Sequence, residues 1–253
     1  MLNLKNKLNI VRSKIKDLLN IEIIYRFKLD NNIKFSNKNH ISRQWINNKN
    51  ITTIHDNEII YEESISNLLI NKSKFKDKHT FYDIGTMCGY YSLLLSKFFK
   101  KVYSFDIIEK CINETKFQLE INEIKNIELF NKAIGSGEFI GFDFYLERNR
   151  MKSISLDSFA TNKNLSFDNN LIKIDIEGYE ESALNGMDNF LKGSNNEFLI
   201  AIHQNLMPKG NTFINIYKKL ESFGYKIFLV EEKLLDVDKD IKKDLFEVFC
   251  TKN

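Results

Sequence analysis

The chain has 253 residues, with 37 basic and 34 acidic side chains and a net charge of +3. So small a surplus argues against a dedicated nucleic-acid binder, which concentrates positive charge. A content of 43% hydrophobic and 13% aromatic residues excludes a disordered chain, and no stretch approaches the roughly 18 apolar residues of a membrane-spanning helix.

Residues 1–30 place Leu4, Leu8, Val11, Ile15, Leu18 and Leu19 three or four apart, with Lys5, Lys7, Arg12, Lys14 and Lys16 between them. This spacing predicts an amphipathic basic helix. Its apolar stripe suits docking on the main domain or on a second copy of the chain; a peripheral contact with an anionic membrane is the alternative. No continuous apolar segment marks a cleaved signal. Residues 31–60 are polar and Asn-rich, with short β-like pieces at 51–54 and 58–61, and are expected to form a cap or hairpin. Trp45 reads as a packing anchor, and His40 and His55 as surface residues. Residues 62–75 read as a helix leading into the first core strand.

The densest signal is residues 80–95, TFYDIGTMCGYYSLLL. Phe81, Tyr82 and Ile84 suit a buried parallel strand. Gly85 stands where the chain bends and leaves backbone N–H groups for a ligand, and Gly89 lets the following helix begin close to the strand. A strand–glycine-loop–helix corner of this kind binds nucleotides. The pattern D-x-G-x-x-x-G lacks the third glycine of a dinucleotide site and the G-K-[ST] of a phosphate loop, so it better suits a nucleoside without a pyrophosphate, such as S-adenosylmethionine.

A second strand, KVYSFD, ends at Asp106, one βαβ unit after Asp83. A carboxylate at that strand tip can accept hydrogen bonds from both ribose hydroxyls. Residues 107–124 then read as a helix and 127–135 as a third strand and its exit, where Ala133 and Ile134 would meet an adenine edge. Residues 136–160 interrupt the alternation, with extended pieces at 138–147 and 152–156, and Ser155 to Phe159 close the insertion.

The second dense cluster is LIKIDIEGYE, residues 171–180. It predicts a buried strand ending in Asp175 and Glu177, then a turn at Gly178 into a helix carrying Ala183, Leu184, Met187, Phe190 and Leu191. The next strand, from Glu197, ends at His203. Residues 212–223 give a helix, and 225–230 and 245–250 an antiparallel pair of strands at the edge. The fold class is therefore α/β, a doubly wound Rossmann-like sheet, which binds ligands beyond the carboxyl ends of its strands. Asp83, Gly85, Asp106, Asp175, Glu177 and His203 all fall at such ends. Helix capping would explain the acids singly, and a satisfied core histidine would explain His203, but four strands converging on one edge favour a site.

FYDIGTMCGYYSLLL resembles the glycine corner of the FkbM-type S-adenosylmethionine-dependent methyltransferases. VYSFD is similar to that family's acidic second strand, SLDSF to its T-L-D element, KIDIEGYEESALNG to its K-I-D-V-E-G-x-E signature, and LIAIHQ to the strand that follows. The resemblance spans roughly residues 60–205 in matching order. Departures are Thr86-Met87 for the family's Ala-Asn, Asp106 for a Glu, and Ala201 for the Glu before Ile-His.

The resemblance implies a class I methyltransferase domain over 61–253, with 1–60 as an N-terminal helical or hairpin extension. It further implies an O-methyltransferase acting on a hydroxyl of a sugar, glycan, glycolipid or similar small molecule. Asp83, Gly85, Thr86, Gly89 and Tyr90 would line the cofactor site from the first corner, and Asp106, Ile107, Ala133 and Asp175 from the neighbouring strands. His203, Asp175 or Glu177 would take the acceptor's proton, His203 having the most suitable ordinary pKa. A minority alternative uses Asp175, Glu177 and His203 as ligands for a divalent cation that holds the acceptor hydroxyl. Two other classes share the βαβ unit: a nicotinamide-dependent oxidoreductase, and a catalytically degenerate cofactor-binding partner protein. Scattered Cys88, Cys111 and Cys250 form no disulfide or metal spacing, which suits a reducing, cytoplasmic setting with peripheral membrane contact as the variant.

Overall fold

The computed structural model describes residues 23–38, 40–46, 52–74, 80–141, 150–230, 233–237 and 244–252. The chain divides into two compact units, Met1–Tyr61 and Glu62–Asn253.

In the first unit, β1 (Ile24–Phe27) and β2 (Asp30–Ser36) form an antiparallel hairpin, followed by α1 (His40–Ile46) and a second hairpin of β3 (Thr52–His55) and β4 (Glu58–Tyr61). Parallel pairing of β1 with β4 joins the hairpins in the order β2-β1-β4-β3. The apolar residues alternate: Tyr25 and Phe27 turn inward while Ile24 and Arg26 stay exposed, the two-residue period of a half-buried strand. Trp45 anchors this small core against Phe35 and Tyr61, with ring centroids at 5.1 Å and 4.6 Å. His55 is exposed and pairs with Asp56. The helix expected over residues 1–30 does not hold at Ile24–Phe27, which form a strand because alternation replaces the helical period there; its basic stretch over 1–22 lies outside the described residues.

The second unit opens with α2 (Glu63–Lys74) and is built on a seven-stranded sheet. Its strands are β5 (Thr80–Ile84), β6 (Lys101–Asp106), β7 (Ile127–Asn131), β10 (Asn170–Ile174), β11 (Glu197–His203), β12 (Lys226–Leu229) and β13 (Leu245–Thr251), ordered β12-β13-β11-β10-β5-β6-β7. The pairs from β7 to β11 are parallel; β13 runs antiparallel to both neighbours and inserts between β11 and the edge strand β12. Val248, Phe249 and Cys250 are buried, as an interior strand requires. The sheet starts in the middle, at β5, runs outward to β7, then returns to β10. The reversal point thus lies between β5 and β10, where doubly wound sheets hold ligands.

Both faces of the central strands are covered, so their sequences read as apolar runs. On one face Tyr82, Ile172, Ile174, Phe198 and Ile200 pack with Leu184, Phe190 and Phe213 of the surrounding helices, all 0–1% exposed or fully buried. The helix expected after Gly178 is two short ones, α6 (Glu180–Asn185) and α7 (Asp188–Lys192), broken at Gly186 and Met187. The remaining helices are α3 (Tyr90–Leu95), α4 (Glu109–Ile121), α5 (Leu156–Asn162) and α8 (Phe213–Ser222).

The insertion contains a hairpin of β8 (Phe139–Gly141) and β9 (Arg150–Lys152); residues 142–149 lie outside the described residues. Ser155 does not continue an extended piece. Its Oγ accepts the Ser158 N–H at 3.0 Å and caps α5, and Asp157 caps α7 by accepting from the N–H groups of Asn189 and Phe190. The polar spacing S-L-D-S is thus a capping signal.

Candidate active site

The corner after β5 is held by its own hydrogen bonds. The Gly85 and Thr86 N–H groups both donate to Phe105 O, and the Met87 N–H donates to Asp106 Oδ2 at 2.8 Å. The sequence reading left these amides for a ligand; the structure uses them to tie β5 to β6. Gly85 is required for another reason. It has φ +84°, and a Cβ on it would lie 1.8 Å from the backbone oxygen of Asp175. The reversal point closes this tightly because the Asp175 N–H donates to Ile84 O at 2.9 Å. Gly89, also at positive φ, approaches Thr115 of α4 rather than the strand.

Asp83 is 1% exposed and lies beneath the loop. Its Oδ2 accepts from Thr86 Oγ1 at 2.9 Å and Ser92 Oγ at 2.5 Å, and Ser92 also meets Ser104 of β6. Asp83 and Thr86 therefore shape the loop from below. Tyr90 is buried, with its hydroxyl at 3.3 Å from Ser66 Oγ of α2. Ile107 is half-buried beside Asp106. Burial pushes Asp106 up to about 7, against the Ile108 and Met87 N–H groups, which favour its charged form. Each of its oxygens accepts one backbone N–H, so acceptor capacity remains on both. Ala133 is buried; its N–H donates to Met151 Sδ at 3.2 Å and its carbonyl accepts the Ile154 N–H.

Across the reversal point is a second charged group. Lys173, 4% exposed, reaches Asp175 Oδ2 at 3.0 Å and Asp83 Oδ1 at 4.0 Å, and lies 5.0 Å from the centre of the Tyr91 ring. The Tyr91 hydroxyl donates to Glu62 Oε2 at 2.6 Å. Burial disfavours the charge on Asp175, but Lys173 and His203 outweigh it and hold the carboxyl below its ordinary value. Glu62 is raised, by burial first and by Asp175 next. A narrow cleft here is lined by Glu62, Lys173, Asp175, Ala201 and Glu247.

His203 closes the group at the tip of β11. Its Nδ1 is 3.0 Å from Glu180 Oε1 and its Nε2 3.8 Å from Asp175 Oδ1. Burial lowers the ring's proton affinity; the Glu180 hydrogen bond and the charges of Asp175, Glu180 and Glu177 reverse that and raise it above the ordinary histidine value. Glu177 is exposed at φ +50°. Besides Gly, Asn and Asp, which tolerate positive φ, the described residues in that region are Glu62, Met87, Glu123 and Glu177. Three of these four lie along this edge, where backbone strain is commonly stored at functional sites.

The structure thus brings Asp175 and His203 together at the adjacent ends of β10 and β11, joins Asp106 to the glycine loop, and places Tyr90 against α2. Among the described residues no three His, Cys, Asp or Glu side chains are grouped to hold a metal ion, so Asp175, Glu177 and His203 do not form a preassembled cage. The sequence reading missed Glu180, Lys173 and Glu62. The first two stood in the quoted KIDIEGYE string, where the two-residue step back from Asp175 puts Lys173 on the same face as Asp83; Glu62 had no local signal.

The family model for the methyltransferase FkbM domain matches residues 105–227. No curated protein matches the chain. Among solved structures the chain is similar to the methyltransferase FkbM from Methylobacillus flagellatus KT, with 17% identity, 70% of this chain and 44% of that chain covered, and a TM-score of 0.50. The chain therefore spans less than half the length of that protein, and the likeness is one of fold. It also resembles a Streptococcus mutans protein solved in complex with SAH, with 18% identity, 74% and 95% of the two chains covered, and a TM-score of 0.46. The stretch matched by the family model runs from the end of β6 into β12 and takes in Asp106, Asp175, Glu180 and His203; over these residues the chain is similar to the methyltransferase FkbM domain.

Proposed function

We propose that this chain transfers the methyl group of S-adenosylmethionine to a hydroxyl of a sugar, glycan, glycolipid or similar small molecule. The observation that carries the reading is His203 at the tip of β11, its Nδ1 engaged by Glu180 and its Nε2 3.8 Å from Asp175. A hydroxyl must lose its proton as it attacks, and a positioned imidazole contributes about 10²–10⁴-fold to such a step.

The residues present fit the cofactor. Asp106 retains acceptor capacity for a ribose diol, and the Ala133 N–H is held only by a thioether, a weak acceptor that an adenine nitrogen outcompetes. The bound cofactor supplies an electrophilic methyl on a sulfonium, which leaves as a neutral thioether. The chain's own part is to position the acceptor oxygen, exclude water and take the proton. Lys173 keeps Asp175 charged, and Asp175 in turn stabilises the imidazolium that forms. Because His203 is raised, the proton-accepting form gains population as pH rises, so methyl transfer increases with pH through the neutral range.

Titration calorimetry with S-adenosylhomocysteine, on the wild type and Asp106→Ala, followed by labelled-methyl transfer to a panel of glycans and glycolipids, tests this. Loss of charge-assisted hydrogen bonds worth about 1.5–3 kcal/mol weakens binding roughly ten- to a hundred-fold in the variant. Binding without any turnover, with and without added Mg²⁺ or Mn²⁺, returns the cofactor-binding partner reading to the front.

A further inference from the structure

We propose that Glu180 is the positioning residue for His203, fixing the ring so that Nδ1 carries the hydrogen and Nε2 is the face that takes the acceptor's proton. This rests on the reading of a hydroxyl acceptor and deepens it.

Glu180 is the first residue of α6 and is fully buried. Its Oε1 accepts the Gly178 N–H at 3.0 Å and meets His203 Nδ1 at 3.0 Å. Its Oε2 is buried with no hydrogen-bond partner among the described residues. Helix capping alone does not account for this, since an exposed acid satisfies an N-terminal N–H without the penalty of burying a carboxylate. The buried position does account for a fixed oxygen beside an imidazole. The backbone of Gly178 holds Oε1, and Oε1 holds Nδ1, which leaves the lone pair on Nε2. The 3.8 Å from Nε2 to Asp175 Oδ1 exceeds a hydrogen bond and leaves the nitrogen available.

The charged groups facing the ring are Glu180 from α6 and Asp175 and Glu177 from the segment after β10, with Lys173 behind Asp175. Its partner across β13 is Leu245, which carries no charge. As the acceptor oxygen attacks, its proton passes to Nε2. The resulting imidazolium is held by two carboxylates, and the proton leaves to water after the product departs.

The test is nitrogen-detected NMR of His203 in the full chain, wild type against Glu180→Gln and Glu180→Asp, with S-adenosylhomocysteine binding as the check on folding. The wild type is expected to show the Nδ1–H form when neutral and a midpoint above the ordinary 6.5. Glu180→Gln, which offers either a donor or an acceptor, mixes the tautomers and lowers the midpoint, whereas Glu180→Asp keeps the charge and shifts less. In turnover, Glu180→Gln lowers kcat by about 10²-fold with KM little changed, and its rising pH limb moves to lower pH. An unchanged tautomer and midpoint in folded Glu180→Gln overturns the proposal. Altered His203 behaviour without turnover of any hydroxyl acceptor by the wild type upholds the positioning role and overturns the hydroxyl reading alone.

Discussion

Asp106 Oδ2 accepts the Met87 N–H at 2.8 Å, so the acid that ends β6 also holds the turn that leaves β5. One carboxylate therefore couples the shape of the glycine loop to the place where a ribose would sit. Burial raises this carboxyl from 3.8 to about 7. Across that interval the free protein binds a proton that a carboxylate accepting two ribose hydroxyls must release. Affinity for S-adenosylhomocysteine accordingly rises with pH up to about 7 and levels off above it, by linkage roughly tenfold between pH 6 and pH 8. Calorimetry at those two values, on wild type and Asp106→Asn, reads this directly. The variant binds more weakly and without the slope; a wild-type affinity independent of pH removes Asp106 from the ligand.

Lys173 is the buried cation shared by Asp83 and Asp175. Removing one partner from such a group leaves uncompensated charge, which typically costs about 3–5 kcal/mol. Lys173→Met is expected to lose stability on that scale at pH 7, measured by denaturant unfolding. The sign of the pH dependence follows from Asp175, whose carboxyl is lowered by Lys173 and His203 against the effect of burial. A depressed carboxyl stabilises the fold above its unfolded value of about 3.9, and that contribution is lost as pH falls through the folded value. The gap between wild type and Lys173→Met should therefore narrow in acid. Equal midpoints at pH 7 would show that the ion pair contributes nothing.

The strands of the second unit are legible because buried parallel strands write continuous apolar runs, as in FYDI and LIKI, and the acids and glycines mark where those strands end. What escaped was set by tertiary pairing. The insertion of β13 inside the sheet depends on register with β11, which no local pattern of residues 245–251 encodes. Residues 24–27 read as part of a helix because the preceding basic stretch has a strong helical period, although Tyr25 and Phe27 alternate as strand residues do. Glu180 looked like an ordinary acid at a helix start. Only the return of β11 beside β10 brings His203 to it, across a separation of 23 residues.

Asp157 offers a test of the capping in the insertion. Its oxygens accept from the N–H groups of Asn189 at 2.8 Å and Phe190 at 3.4 Å, at the start of α7. Asp157→Ala leaves both donors unmet by the protein and is expected to cost about 1 kcal/mol, while Asp157→Asn, which keeps an acceptor, costs less. Thermal melts of the two variants give the order. Because the carboxyl is half-buried and distant in sequence from His203, neither change is expected to move the pH profile of methyl transfer.

Gly85 and Gly137 separate backbone strain from close approach. Both have positive φ, +84° and +108°, where an alanine costs roughly 1–2 kcal/mol from its own geometry. Nothing lies within 4 Å of a Cβ built on Gly137, whereas one on Gly85 would lie 1.8 Å from Asp175 O and 2.8 Å from Asp175 C. These are backbone atoms of β10's exit, pinned by the Asp175 N–H to Ile84 O, so they cannot swing aside as a side chain would. Gly137→Ala should show the strain alone. Gly85→Ala should lose more, and should also weaken S-adenosylhomocysteine binding, because the shift that relieves the clash pushes Asp175 away from the loop that Asp106 holds. Denaturant midpoints for the two variants decide the point. If Gly85→Ala proves no more destabilising than Gly137→Ala, the tight closure between β5 and β10 is not what keeps glycine at this corner.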